Sequence, residues 1–309
     1  MIRELRHSDL PGVARVWGEV RLDSVQSEAG VRHLLETFPP RAEVAHWVAD
    51  VDGIVAWAFA HRRWRRASGN AYVWVGVLPE ARGRGIGGEL WSLGEEHVAG
   101  LGVERVNADV VGNQAGEGFL AARGFTHVRT VVVSAVDPRT VSSQTTRADG
   151  YELASFADAD LEQLYRLDRK ASGDAPGEAE GYEHSFEEWR RELVDHPDFS
   201  AQGSSAIVHG QEVVASSALS ADLATGRGRN EGTVTARAHR GRGLATLAKL
   251  AQLRWAAEAG IERVLADNDE TNAPMLAVNR GLGYEPFTER RGFVREETAS
   301  RRAPAAPAR

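Results

Sequence analysis

The sequence repeats itself. Gly102-Val103-Glu104-Arg105-Val106-Asn107-Ala108-Asp109 returns 158 positions later as Gly260-Ile261-Glu262-Arg263-Val264-Leu265-Ala266-Asp267. Arg82-Gly83-Arg84-Gly85 returns at the same spacing as Arg240-Gly241-Arg242-Gly243. Asn113 and Gly124-Phe125 return one residue later still, as Asn272 and Gly283-Tyr284. Three landmarks in one order imply a duplicated domain, so any fold read for one copy must also serve the other. The length of 309 residues agrees, because domains usually run about 100–200 residues.

Each copy reads as a mixture of strands and helices. In the first, a strand at 2–5 precedes a helix capped by Ser8 or Asp9, and a second helix covers about 28–37. A hairpin follows, turning at Asp52-Gly53 between apolar runs. A strand at 71–77 runs into the glycine loop, a helix starts near Ile86, and strand 105–110, helix 114–123 and strand 128–136 complete the unit. The second copy repeats this, with a strand at 151–156, a helix capped near Asp158, a hairpin at Gly210-Gln211 and a strand at 232–236 before its loop. Pro274 stands at the start of its last helix, where a missing N–H costs nothing. The expected organisation is a domain at 1–137, a polar linker at 138–150, a domain at 151–298 and a disordered tail at 299–309.

The chemistry concentrates in the loop. A strand ends at Val77, the chain turns, and a helix begins directly after glycines. Amide hydrogens in the first turn of a helix have no internal partner and favour an anion. Glycine lets the backbone approach a phosphate closely, and arginine adds a charged contact. A pyrophosphate is the expected guest. A single loop of this kind could be a tight turn with solvated arginines, but two copies at matching junctions favour binding. The Rossmann pattern is absent, and isolated loops between regular elements do not read as flexible nucleic-acid-binding tracts.

On these residues the chain resembles the GNAT superfamily of N-acetyltransferases, in a tandem arrangement like that of mycothiol-synthase-like members. The family loop [R/Q]-x-x-G-x-[G/A] is matched by Arg82-Gly83-Arg84-Gly85-Ile86-Gly87 and by Arg240-Gly241-Arg242-Gly243-Leu244-Ala245. The later Asn and Gly-aromatic block is matched by Asn113 to Phe125 and Asn272 to Tyr284. The resemblance covers about 280 residues and implies an α/β fold, with two domains each built on a splayed mixed β-sheet flanked by helices. It implies acetyl-CoA as acyl donor, its pantetheine lying along Val75, Gly76 and Val77 or along Thr233, Val234 and Thr235. Amides of that strand would stabilise the oxyanion formed when an amine attacks the thioester.

An attacking ammonium must first lose a proton, and a carboxylate is the usual base. Glu231 stands two residues before Thr233, a parity that puts both on one strand face. The family glutamate sits about two residues earlier, where this chain has Arg229. Glu231 is therefore either the base or a solvated glutamate at a strand end. Copy one has Val73 at the aligned position, which favours the C-terminal domain as the catalytic one. Asp109 and Asp267 align on the next strand, as alternative bases or as turn aspartates. The family tyrosine that protonates the departing thiolate is replaced by Leu120 and Asn279. Asn279 can donate a hydrogen bond there but no proton. Asn113 and Asn272 either cap helices or contact the cofactor. His184 and His196 are candidate substrate-lining residues, and His239 and the tryptophans 57, 74, 91 and 255 read as surface or core residues.

Composition supplies the exclusions. A net charge of −7 argues against a general nucleic-acid or anionic-membrane binder. The absence of cysteine removes disulfides, thiolate metal sites and a cysteine nucleophile. No His/Asp/Glu cluster has metal-ligand spacing, so no metal is expected. No apolar run approaches the roughly 20 residues of a membrane span, and the charged N-terminus carries no signal core, so a cytoplasmic protein is expected, as monomer or homodimer. The expected activity is acetyl transfer from acetyl-CoA to a primary amine of a small metabolite or antibiotic-like compound. The alternative is a degenerate tandem pair that binds acyl-CoA, as a regulatory module, without turnover.

Overall fold

The computed structural model describes residues 1–64, 69–141, 148–172, 174 and 185–297. They form two compact units, one of residues 1–22, 26–130 and 289 onward, the other of 23–25 and 131–288. The tail at 299–309 and residues 142–147 of the 138–150 linker lie outside the described residues, as does His184.

The first half of the chain supplies β1 (Ile2–Glu4), α1 (Leu10–Val20), α2 (Glu28–Thr37), β2 (Ala45–Asp50), β3 (Ile54–Arg62), β4 (Asn70–Val77), α3 (Ile86–Gly100), β5 (Arg105–Val111), α4 (Gln114–Ala121) and β6 (Thr126–Val136). The second half supplies β7 (Glu152–Ser155), α5 (Leu161–Ser172), α6 (Phe186–Trp189), β8 (Ser205–His209), β9 (Glu212–Asp222), β10 (Arg227–Thr235), α7 (Leu244–Glu258), β11 (Arg263–Asp269), α8 (Ala273–Gly281) and β12 (Glu285–Glu296).

In unit 1, β1 to β4 pair antiparallel in chain order, and β4 pairs parallel with β5. The hairpin between β2 and β3 turns on Asp52 and Gly53, at φ 55° and 120°, as the Asp-Gly pair predicts. Helix α1 buries Leu10, Val13, Val16 and Trp17 on one face of the sheet. Helix α3 buries Leu90, Trp91, Gly94 and Val98 on the other. A Cβ at Gly94 would come within 2.8 Å of the Val73 side chain, so glycine there lets helix and strand approach closely. Asp9 takes the N-cap position of α1, but its carboxylate accepts from Arg3 and from the Arg6 amide instead of capping the helix.

Unit 2 repeats the plan. β7 to β10 pair antiparallel in order and β10 pairs parallel with β11. Helices α5 and α6 bury Leu164, Leu167 and Trp189 on one face. Helix α7 covers the other face through Leu244, Leu247, Leu250 and Leu253. The carboxylate that receives the first amides of α5 is Asp160, two residues past the expected Asp158.

The sixth strand of each unit comes from the opposite half of the chain, so the units differ from the contiguous stretches 1–137 and 151–298. Residues 131–136 of β6 pair with β11 in unit 2, and residues 290–296 of β12 pair with β5 in unit 1. Phe293 thereby fills the core that holds Val106 and Phe125, and Val133 packs with Leu265. β5 and β11 descend from the same repeated segment, so each presents a similar edge to an incoming strand.

Candidate active site

The parallel strands of each unit part before they end. β4 pairs with β5 only at Asn70, Ala71 and Tyr72, so residues 73–77 have no neighbour on that side. β10 pairs with β11 only from Arg227 to Asn230, leaving 231–235 open. Alternation fixes which backbone groups face each opening. Leu78 donates to the Val55 carbonyl and Ala236 to that of Val214. Residues two and four positions back therefore also bond inward, and the amides of Val75, Val77, Thr233 and Thr235 point into the gaps.

Both glycine loops sit at the mouth of these openings. Gly83 and Gly85 have φ of 73° and 84°, and Gly241 and Gly243 both have 76°. These left-handed values are ones that L side chains rarely adopt. Gly85 and Gly243 are the N-caps of α3 and α7, and neither helix has a side-chain cap. The first amides, including those of Ile86 and Gly87 or Leu244 and Ala245, are thus turned toward the loop. Arg82 Nε donates to the Val77 carbonyl at 3.0 Å, and Arg240 Nε to the Thr235 carbonyl at the same distance. Each guanidinium is tied to the end of its splayed strand, while Arg84 and Arg242 are exposed. In unit 2, Asp174 also accepts from Arg237 and Arg240, which lowers its pKa through those bonds.

Comparison with known proteins finds one family in both halves of the chain. The sequence profile of the acetyltransferase (GNAT) family matches residues 13–125 and again residues 161–284. The chain belongs to the acetyltransferase (GNAT) family. A mycothiol acetyltransferase of Nocardioides sp. (strain ATCC BAA-499 / JS614) is 30% identical over 268 residues, covering 79% of this chain and 90% of that protein. Among solved structures, a tandem GNAT protein from the clavulanic acid biosynthesis pathway aligns with a TM-score of 0.73 at 20% identity, covering 96% of this chain and 98% of that one. A GCN5-related N-acetyltransferase from Sphaerobacter thermophilus aligns at 0.68 and 20% identity, covering 99% and 96%. The fold is tandem GNAT, and the enzyme class is acetyl-CoA-dependent acetyltransferase.

Within this GNAT frame the two openings are lined differently. β9 and β10 shift register between Asn230 and Gly232, a bulge that β3 and β4 lack. Pairing on both sides makes Val73 the counterpart of Asn230 and Trp74 that of Gly232. Glu231 is the extra residue and has no counterpart in unit 1, which corrects its sequence alignment with Val73. The bulge also breaks the alternation that placed Glu231 with Thr233. The side chain that meets the Thr233 hydroxyl is that of Asn230, at 3.2 Å.

Glu231 belongs instead to a charged cluster at the fork. Arg229 donates to Glu231 and, through its other amino group, to Asp267 at 2.9 Å. Burial opposes the Arg229 charge, but Asp267, Glu231 and Asp23 outweigh it and raise the guanidinium pKa. In unit 1 the corresponding Asp109 lies with Arg21 at 3.3 Å and with Tyr72. Burial and then the Asp109 charge push the Tyr72 phenol up.

Trp74 then covers the open strand of unit 1 at Gly76. Its indole lies over Gly76, where a Cβ would meet it at 2.4 Å. Trp74 lies 5.2–5.5 Å from Trp17, Trp57 and Phe59 in tilted and edge-on contacts, and these rings are buried. Gly232 is exposed, and a Cβ there would meet nothing within 4 Å.

The asparagines act on helices. Asn113 Oδ1 accepts from the amides of Ala115 and Gly116, and Asn272 Oδ1 from that of Met275. Asn279 is buried and donates to Asn268 Oδ1 at 2.6 Å. His239 is held by the Tyr151 hydroxyl at 2.9 Å, a packing role. Asp174, Arg229 as a bridge, and a buried Lys249 were not singled out by sequence reasoning. Lys249 had an available signal: it is one of only two lysines, it interrupts the run Leu247-Ala248-Lys249-Leu250-Ala251, and it aligns with Trp91. Among the described residues no cluster could hold a metal ion, and no helix is long and apolar enough to cross a membrane.

Proposed function

We propose that unit 2 transfers the acetyl group of acetyl-CoA to a primary amine of a small molecule. The single observation that carries this reading is the fork at Asn230 and Ala266, where a bulged Glu231 and an uncovered Gly232 leave the acceptor side of the strand open. The diphosphate lies on the amides after Gly241 and Gly243, with Arg240 and Arg242 beside it. The pantetheine follows Thr233, Val234 and Thr235, and the Thr233 or Thr235 amide receives the thioester oxygen as it gains charge. The amine enters past Gly232 toward Glu231, whose carboxylate stands with Asp267 and Asp23 around Arg229. Glu231 then takes its proton, directly or through water, and the freed amine attacks the carbonyl carbon. The mycothiol acetyltransferase relative supports a small polar acceptor.

Unit 1 keeps the loop and the open amides of Val75 and Val77 but has no carboxylate at a bulge, and Trp74 fills the acceptor side. We assign it acyl-CoA binding without turnover, the alternative reading restricted to one half of the chain.

The test is thiol release from acetyl-CoA across an amine panel, with CoA affinity measured by calorimetry. Glu231→Gln is expected to lower turnover by about 10²–10³-fold and leave CoA affinity within a factor of two. Unchanged turnover removes Glu231 as the base.

A further inference from the structure

The underside of the unit 2 opening carries buried polar atoms without hydrogen-bond partners: Thr235 Oγ1, Lys249 Nζ, Asn279 Oδ1 and Tyr284 Oη. They come from β10, α7, α8 and the connection between α8 and β12. Their counterparts in unit 1 are Val77, Trp91, Leu120 and Phe125, where only the Trp91 indole N–H is polar. An unpaired buried polar group costs about 1–3 kcal/mol and a charged one more. Four such buried atoms on the segments that border the unit 2 opening, with a nearly apolar set at the same places in the sister unit, are a polarity that the two units do not share.

Lys249 is the charged member. Its side chain is fully buried, and its ammonium lies 4.9 Å from the centre of the Tyr284 ring. It also interacts with Asp267, on β11 just past the last residue paired with β10. The amino group is therefore close to the place where β10 and β11 part. Burial brings its pKa down to about 7, and the Asp267 charge opposes that shift. Burial also pushes the Tyr284 phenol up, which keeps it neutral.

We propose that Lys249 gives the proton that the sulfur of CoA needs as it leaves. The proposal rests on acetyl-CoA occupying the unit 2 opening. When the amine nitrogen bonds to the carbonyl carbon, the carbon–sulfur bond breaks and its electron pair stays on sulfur. The Lys249 ammonium transfers one proton to that sulfur and becomes neutral, and solvent returns the proton. The nitrogen gives up two protons: one goes to Glu231 before attack, and the second leaves to solvent once the carbon–nitrogen bond has formed. A donor near pH 7 facing a thiol whose own pKa is about 8.5 transfers downhill. Asn279, at the place of the family tyrosine, has no proton to give.

The chain contains only Lys170, which is exposed, and Lys249. Protein labelled with ¹³C at lysine Cε thus gives two resonances, with Lys170 as reference. CoA is expected to move the Lys249 titration midpoint by on the order of one pH unit, and desulfo-CoA, which lacks the sulfur, by much less. Equal movement with both, or none while calorimetry shows CoA bound, overturns the Lys249 role alone. Absence of any binding heat overturns the loop reading and this one with it. Lys249→Met is expected to raise the thermal midpoint, since it relieves an unpaired buried cation, and to lower thiol release by about 10²-fold. Undiminished thiol release in that variant also overturns the proposal.

Discussion

Two copies of one unit have kept the same glycine loop and diverged in the strand that leads into it. The loops agree in detail: two left-handed glycines each, a helix without a side-chain cap, and an arginine whose Nε bonds the last carbonyl of the open strand. The strands beyond them do not agree. Unit 2 inserts Glu231 as a bulge and leaves Gly232 bare. Unit 1 runs without a bulge and lays Trp74 across Gly76, inside a cluster of buried rings. A binding loop and a reacting centre are thus separable parts of this fold. Losing the second need not disturb the first, because the loop is built from backbone and the centre from side chains.

The comparison breaks most severely if the open face of unit 2 is filled as unit 1 is. Gly232→Trp places an indole where a Cβ now meets nothing. It is expected to lower acetyl transfer by about 10²-fold or more, with CoA affinity preserved. Activity near that of the parent protein would show that the acceptor does not approach past Gly232.

The aromatic filling of unit 1 also predicts a pH dependence. Burial, then the neighbouring His61, lowers the His46 pKa to about 4 from 6.5, and neither ring nitrogen has a hydrogen-bond partner. In the unfolded chain this imidazole takes a proton below about pH 6.5, while in the folded chain it resists until about pH 4. Its contribution is therefore fully present above pH 6.5 and is lost as the pH falls from 6.5 to 4, by about 3 kcal/mol in all. Denaturant unfolding followed by tryptophan fluorescence should show that acid limb, and His46→Phe should flatten it. An identical limb in the variant would assign the acid sensitivity elsewhere.

The sequence already displayed the parts of this architecture that local chemistry determines. The repeat, the Asp52-Gly53 turn, the glycine loops and the Pro274 helix start each depend on a few adjacent residues, and each lies where it was read. The exchange of β6 and β12 did not show, because β5 and β11 have similar sequences and the choice of neighbour is made only by tertiary packing. The bulge was hidden for a related reason. The landmarks that fix the spacing of 158 all follow the one-residue insertion in β10, so carrying that spacing back along the strand sets Glu231 against Val73. Asp174 could not be found from its sequence neighbourhood, since Arg237 and Arg240 reach it from more than 60 positions away. Lys249 was hidden by its setting: an alternation of leucine and alanine reads as a packed helix face, and one cation within it reads as a solvated end.

The assignment of turnover to unit 2 is tested most directly by straining one loop at a time. Gly83→Val and Gly241→Val each force a β-branched residue into a left-handed backbone in open space, at φ 73° and 76°. The cost is therefore conformational rather than steric, at about 1–2 kcal/mol, or roughly tenfold in affinity for the loop concerned. At acetyl-CoA concentrations below its KM, Gly241→Val is expected to lose about tenfold in thiol release and Gly83→Val to stay within twofold of the parent. The reverse pattern, or equal losses in both, would contradict the placement of the working centre in unit 2.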